Sequence, residues 1–67
     1  MTKAYKKIEI VGVSKRSMSE AIDHAVAKAH ETVRGLQWFE VAEMRGRIED
    51  GKISEYQATV RIGFKLE

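Results

Sequence analysis

Trp38 is the only tryptophan of this 67-residue chain, and with Gln57 it supplies the most telling chemistry. An indole is a large stacking surface with a polar handle, and a soluble protein gains nothing by placing it on the solvent face of a strand. The Gln57 amide carries both a donor and an acceptor, the complement of an imide or pyrimidine edge. A flat, partly polar molecule suits the pair. Two uses of Trp38 stay open on pattern alone, ligand stacking and a subunit interface, since tryptophan is enriched at such contacts.

The elements that must position these residues start from Asp50-Gly51, a two-residue hairpin signal that needs positive φ at both centres. If Glu49 pairs with Lys52, then Met44 lies opposite Gln57, Ala42 opposite Thr59, Glu40 opposite Arg61 and Trp38 opposite Gly63. Side chains alternate along a strand, so these share one face. Gly63 then leaves open space opposite the indole. Phe39, Val41, Ala58, Val60, Ile62 and Phe64 share the other face and are the expected core. In this register Trp38 and Gln57 are six residues apart along the hairpin, roughly 20 Å. They can share a small ligand only if a symmetry-related chain brings one to the other. Arg45 falls on the core-side parity, which points to an inter-subunit contact. A bulge near Met44 to Arg47 would turn it to the other face.

Tyr5 to Val13 reads as a first strand, rich in β-branched residues. Ser17 with Glu20 forms a capping box, and Met18, Ile22, Ala25, Val26, Ala29 and Val33 make one apolar helical stripe ending at a C′ glycine, Gly35. Leu36 to Ile48 and Ile53 to Leu66 form the hairpin. Its strands reach roughly 40 Å, whereas a helix of about 17 residues covers roughly 25 Å. The overhang of about 15 Å holds Arg45, Tyr56, Ile48 and Ile53, surface that another subunit should cover. The expected protomer is α+β, strand-helix-strand-strand, with the last strand central in a three-stranded antiparallel sheet and the helix on one face.

Composition points to association as well. A chain this short buries only roughly 60% of the surface its unfolded form exposes. It has no cysteine, so no disulfide or thiolate zinc site can reinforce it. The net charge of +2, with 33% charged residues, describes a solvated surface and not a nucleic-acid clamp. Residues 1 to 34 hold seven basic and four acidic side chains, against five and six in residues 35 to 67. Lys3, Lys6, Lys7, Lys15 and Arg16 account for most of that bias, as a solvated strand edge and loop or as phosphate contacts. The apolar stretch Ile8 to Val13 is too short for a signal-peptide core or a membrane span, and a cytoplasmic protein is expected. Without proline, repeats or linker-like tracts, residues 1–67 read as a single domain.

Little supports catalysis. His24 and His30 lie about 240° apart around a helix and cannot chelate one ion as i, i+4 pairs do. No nucleophile–base pair, glycine-rich phosphate loop or paired-carboxylate signature stands out. Glu40 opposite Arg61 reads as an ordinary cross-strand pair.

The motifs Tyr5-Lys6-x-Ile8-Glu9-Ile10-Val11-Gly12-x-Ser14, Ala21-Ile22, Trp38-Phe39-Glu40-Val41, Arg45-Gly46, Tyr56-Gln57 and Val60-x-Ile62-Gly63-Phe64-x-Leu66, in this order and spacing, resemble a dodecin of the bacterial type over essentially the whole chain. The resemblance implies a β-α-β-β protomer whose sheet wraps its helix, assembled as a hollow dodecamer with cubic-type symmetry. It implies non-covalent flavin binding, typically FMN but also FAD or riboflavin, for storage and photoprotective sequestration and not for turnover. Trp38 matches the stacking tryptophan, Gln57 the glutamine that hydrogen-bonds the pyrimidine part of the isoalloxazine, and Arg45 an arginine near the flavin. Paired flavins about two-fold axes, between tryptophans of different subunits, would resolve the distance problem. Some members also bind coenzyme A, whose phosphates the basic N-terminal residues could serve.

Flavin sequestration is therefore the leading expectation, with no enzyme activity and no nucleic-acid or membrane partner. A sheet stacking nucleic-acid bases on Trp38 and Tyr56 is the alternative from another class, and a purely structural oligomer a third. Phosphate-driven binding would weaken steeply with salt, whereas stacking with amide pairing would change little.

Overall fold

The computed structural model describes residues 3–66. Its elements are β1 (Tyr5–Ser14), α1 (Met18–Thr32), β2 (Leu36–Glu49) and β3 (Lys52–Lys65). The strands form one antiparallel sheet in the order β1-β3-β2, so the last strand is central as expected.

The helix starts where Ser17 caps it, its hydroxyl accepting from the Glu20 N–H at 3.0 Å. The reciprocal half of the expected capping box does not form. Glu20 instead accepts from the Ser14 hydroxyl at 2.6 Å, while that same oxygen accepts the N–H groups of Arg16 and Ser17 at 2.9 and 3.3 Å. Ser14, only 4% exposed, thus joins the end of β1 to the first turn of α1. Its hydrogen bond, aided by the Arg16 guanidinium, holds the Glu20 carboxyl below the usual carboxylate range.

Ala21, Ala25 and Ala29 form the buried line of the helix, with Met18, Ile22 and Val26 packed around it. Gly12 allows this close approach. A Cβ there would fall on the Ala21 carbonyl oxygen and lie 2.9 Å from the Ala25 methyl. The helix is shorter than its apolar stripe suggests. It stops at Thr32, Val33 is the C-cap, and Gly35 follows in the connection with φ +74°.

The core is correspondingly narrow. Ala58, Val60 and Ile62 of β3 are buried against the helix, with Ile8 and Ile10 of β1 beside them. Phe39 and Val41, expected in this core, remain 53% and 36% exposed, and Phe64 is only half-buried. Their parity is right, but the alanine-lined helix rests over β1 and β3 and leaves β2 largely uncovered. An apolar groove of about 150 Å³ results, lined in part by Val26, Leu36, Phe39 and Ile62.

Asp50 and Gly51 adopt φ of 52° and 75°, the left-handed pair the turn requires. The molecule is 55 Å long and 20 Å wide, and the hairpin does overhang. Its last three-stranded row is Ser14–Tyr56–Gly46. Ile48 and Ile53 lie beyond it, 72% and 60% exposed. Arg45 and Tyr56, expected in the overhang, belong to the three-stranded part, where Tyr56 packs against the core.

Candidate functional site

Two irregularities in the hairpin decide what the outer face of the sheet presents. Near the turn Ile48 pairs with Ile53 but Arg47 with Glu55, so Ser54 is passed over. Further along, Glu43 pairs with Thr59 but Val41 with Val60, so Ala42 is passed over. Between them the register is displaced by one residue, which exchanges the two faces of β2. The expected partners of Gln57 and Thr59, Met44 and Ala42, are thereby corrected to Arg45 and Glu43. Met44 faces the helix side opposite Ala58, and Arg45 joins Trp38 and Gln57 on the outer face instead of the core-side parity.

That face consists of four rows across β1, β3 and β2: Lys7–Gly63–Trp38, Glu9–Arg61–Glu40, Val11–Thr59–Glu43 and Val13–Gln57–Arg45. In the first row the indole fills the space over Gly63 that was expected to stay open. A Cβ on Gly63 would lie 2.7 Å from Trp38 Cη2 and closer still to Cε2 and Cζ2. The indole is nevertheless 39% exposed. Lys7 reaches over from the other side of Gly63, its Nζ 5.6 Å from the ring centroid and 2.9 Å from Glu40 Oε2. That hydrogen bond, with the positive charges of Lys7 and Arg61, holds the Glu40 carboxyl below its ordinary range. Glu40 and Arg61 are thus not an isolated pair: Arg61 lies 3.1 Å from Glu9 and 3.8 Å from Glu40.

The fourth row anchors a polar network. Arg45 Nε donates to Gln57 Oε1 at 3.0 Å and Arg45 Nη1 to Glu43 Oε1 at 3.0 Å. Gln57 Nε2 donates to Glu55 Oε1 at 2.8 Å. Arg45 and Gln57 are therefore direct neighbours within one chain. Trp38 does not join them: six residues of β3 separate Gly63 from Gln57, roughly 20 Å. Within one chain the Trp38 indole and the Gln57 amide are thus too far apart to touch the same small molecule.

From sequence Lys7 stands out only as one of the basic N-terminal residues, not as a neighbour of Trp38, and neither Glu55 nor the packing role of Gly63 stands out. Parity alone could have found Glu55, since it is two residues from Gln57 on one strand. Lys7 needed the β1–β3 register. His24 Nδ1 lies 2.8 Å from the Val13 carbonyl oxygen and tethers the helix to β1. Among the described residues no helix is long and apolar enough to cross a membrane, and no group of three or more potential ligands is arranged for a metal.

Residues 4–67 match the family model described as Dodecin. A curated dodecin from Thermus thermophilus is 48% identical over 67 residues, covering 100% of this chain and 97% of its own. A crystal structure of a Thermus thermophilus protein superposes with a TM-score of 0.94 at 47% identity, covering 98% of this chain and 97% of that one. The dodecin of Streptomyces coelicolor superposes with 0.92 at 42% identity, covering 97% and 93%.

Proposed function

This chain belongs to the dodecin family, and from that premise we propose that it binds flavin non-covalently between subunits of a homododecameric shell. The shell stores FMN, and FAD or riboflavin through the same isoalloxazine, in the cytoplasm, and shields it from light without turning it over. Residues 1–67 act as one unit in this reading. The observation that carries it is the indole of Trp38, held against Gly63 yet 39% exposed, an arrangement that leaves an aromatic surface ready for a flat partner. Gln57, with Arg45 beside it, then serves the pyrimidine edge of a flavin stacked on another subunit's tryptophan.

Assembly is a requirement of this site, because Trp38 and Gln57 of one chain are too far apart to meet on one ring system. The uncovered Phe39 and Val41, the apolar groove beside them and the exposed Ile48 and Ile53 give the subunits surface to bury. Sedimentation at micromolar concentration should give a species of about twelve times the 7.6 kDa chain mass. A monodisperse 7.6 kDa species would remove the shared site.

Gln57→Ala should weaken flavin binding by about 1–2 kcal/mol, as expected when ligand groups lose their partners, and leave the assembly intact. Gln57 is half-buried and does not belong to the apolar core. Titration of the variant checks this, and an unchanged affinity would remove Gln57 from the site.

A further inference from the structure

Gln57 stands between two charged side chains whose hydrogen-bonding roles cannot be exchanged. Arg45 Nε donates to its carbonyl oxygen and Glu55 Oε1 accepts from its amide nitrogen, at 3.0 and 2.8 Å. A guanidinium has no acceptor and an ionised carboxylate no donor. Turning the amide over would set N–H against guanidinium and carbonyl against carboxylate, so both contacts would become repulsive. The chemistry of its neighbours therefore selects one orientation. Each end keeps capacity to spare: the oxygen has a second lone pair and the nitrogen a second hydrogen.

We propose that Glu55 is a positioning residue for ligand recognition, fixing with Arg45 the amide of Gln57 so that its remaining N–H and lone pair meet the carbonyl and N–H of a cyclic imide. This rests on the flavin reading of Gln57 and deepens it, the imide being the pyrimidine edge of the isoalloxazine. Glu55 lies two residues from Gln57 on the same strand face. Its carboxylate forms no ion pair among the described residues, although Arg47 is its cross-strand partner. It is directed at the amide instead. Glu43 holds Arg45 in turn at 3.0 Å, so the amide is fixed from both sides before any ligand arrives. A free glutamine side chain loses rotamer freedom on binding equivalent to about tenfold in affinity, a loss that prior fixation removes.

The test compares lumiflavin with its N3-methyl derivative on the assembled wild-type protein, on Glu55→Ala and on Glu55→Gln. Both ligands lack a phosphate, so removing a carboxylate does not act through ligand charge, and the methyl group blocks the imide N–H while leaving the stacking face. In the wild type lumiflavin should bind more tightly than the methyl derivative. Glu55→Ala should weaken lumiflavin by about tenfold and leave the methyl derivative unchanged, with Glu55→Gln intermediate because it keeps an acceptor that can itself turn over. Equal weakening of both ligands would make Glu55 a support of the hairpin, and no weakening would make it a bystander; either overturns the proposal. A wild type that binds both ligands equally would overturn the Gln57 assignment first and this inference with it. If Glu55→Ala fails to assemble by sedimentation, the near-isosteric Glu55→Gln decides: unchanged discrimination between the ligands overturns the proposal, and reduced discrimination supports it.

Discussion

Trp38→Ala should return most of the fluorescence that flavin loses on binding, and lower its affinity by about 1–3 kcal/mol, the range of base–aromatic stacks. The two effects share a cause. Van der Waals contact between an electron-rich indole and an isoalloxazine contributes binding energy, and it opens a path for an electron to pass from indole to photoexcited flavin. The resulting pair, an indole radical cation and a flavin radical anion, recombines when the electron returns, and both partners are restored. The excited state decays before it emits or reacts, which is what makes such a site protective. Trp38→Phe should recover part of the affinity but less of the quenching, because phenyl stacks yet donates electrons poorly. Steady-state emission and a binding isotherm for each variant check this. If the alanine variant binds and quenches like the wild type, Trp38 is an interface residue only.

Gly12→Val should cost about 3 kcal/mol or more, at the upper end of overpacking penalties. The reason lies in the backbone. A side chain at position 12 meets the Ala21 carbonyl oxygen and the Ala25 backbone and methyl, and neither the helix nor β1 can yield without separating Ala21, Ala25 and Ala29 from Ala58 and Val60. For a domain of this size that is a large share of total stability, roughly 0.05–0.15 kcal/mol per residue. Denaturant midpoints measured at matched protein concentration, since assembly contributes, should fall sharply with parallel loss of helical signal. An unchanged midpoint would mean that the helix does not lie this close to β1.

Sequence and structure agree where a side chain announces its own geometry. Asp50-Gly51 demands positive φ and has it, and Ser17 caps the helix it precedes; Trp38 pairs with Gly63 on the outer face as the turn register predicts, because the displacement at Ala42 cancels the one at Ser54. They part at the bulges. Ala42 and Ser54 carry no signature of being passed over in the ladder, yet the displacement between them moves Arg45 from the helix side to the side of Gln57. The possibility of a bulge was legible, but not its end points. Hydrophobic parity likewise assigned Phe39 and Val41 to a face without saying what covers it, and one helix lined by alanine is too narrow to do so. Ser14 was missed as an organising residue because its role depends on β1 ending against the first turn of α1, a tertiary contact that no local pattern encodes.

The most direct measurement is a titration of free FMN with the wild-type assembly, followed by flavin emission. Stacking between the Trp38 side chains of different subunits, with Gln57 on the pyrimidine edge, predicts nearly complete loss of emission that saturates at one flavin per chain and changes little with added salt. Emission that remains at the free-flavin level at saturating protein, or binding that leaves it undiminished, would contradict a stacked flavin site in this protein.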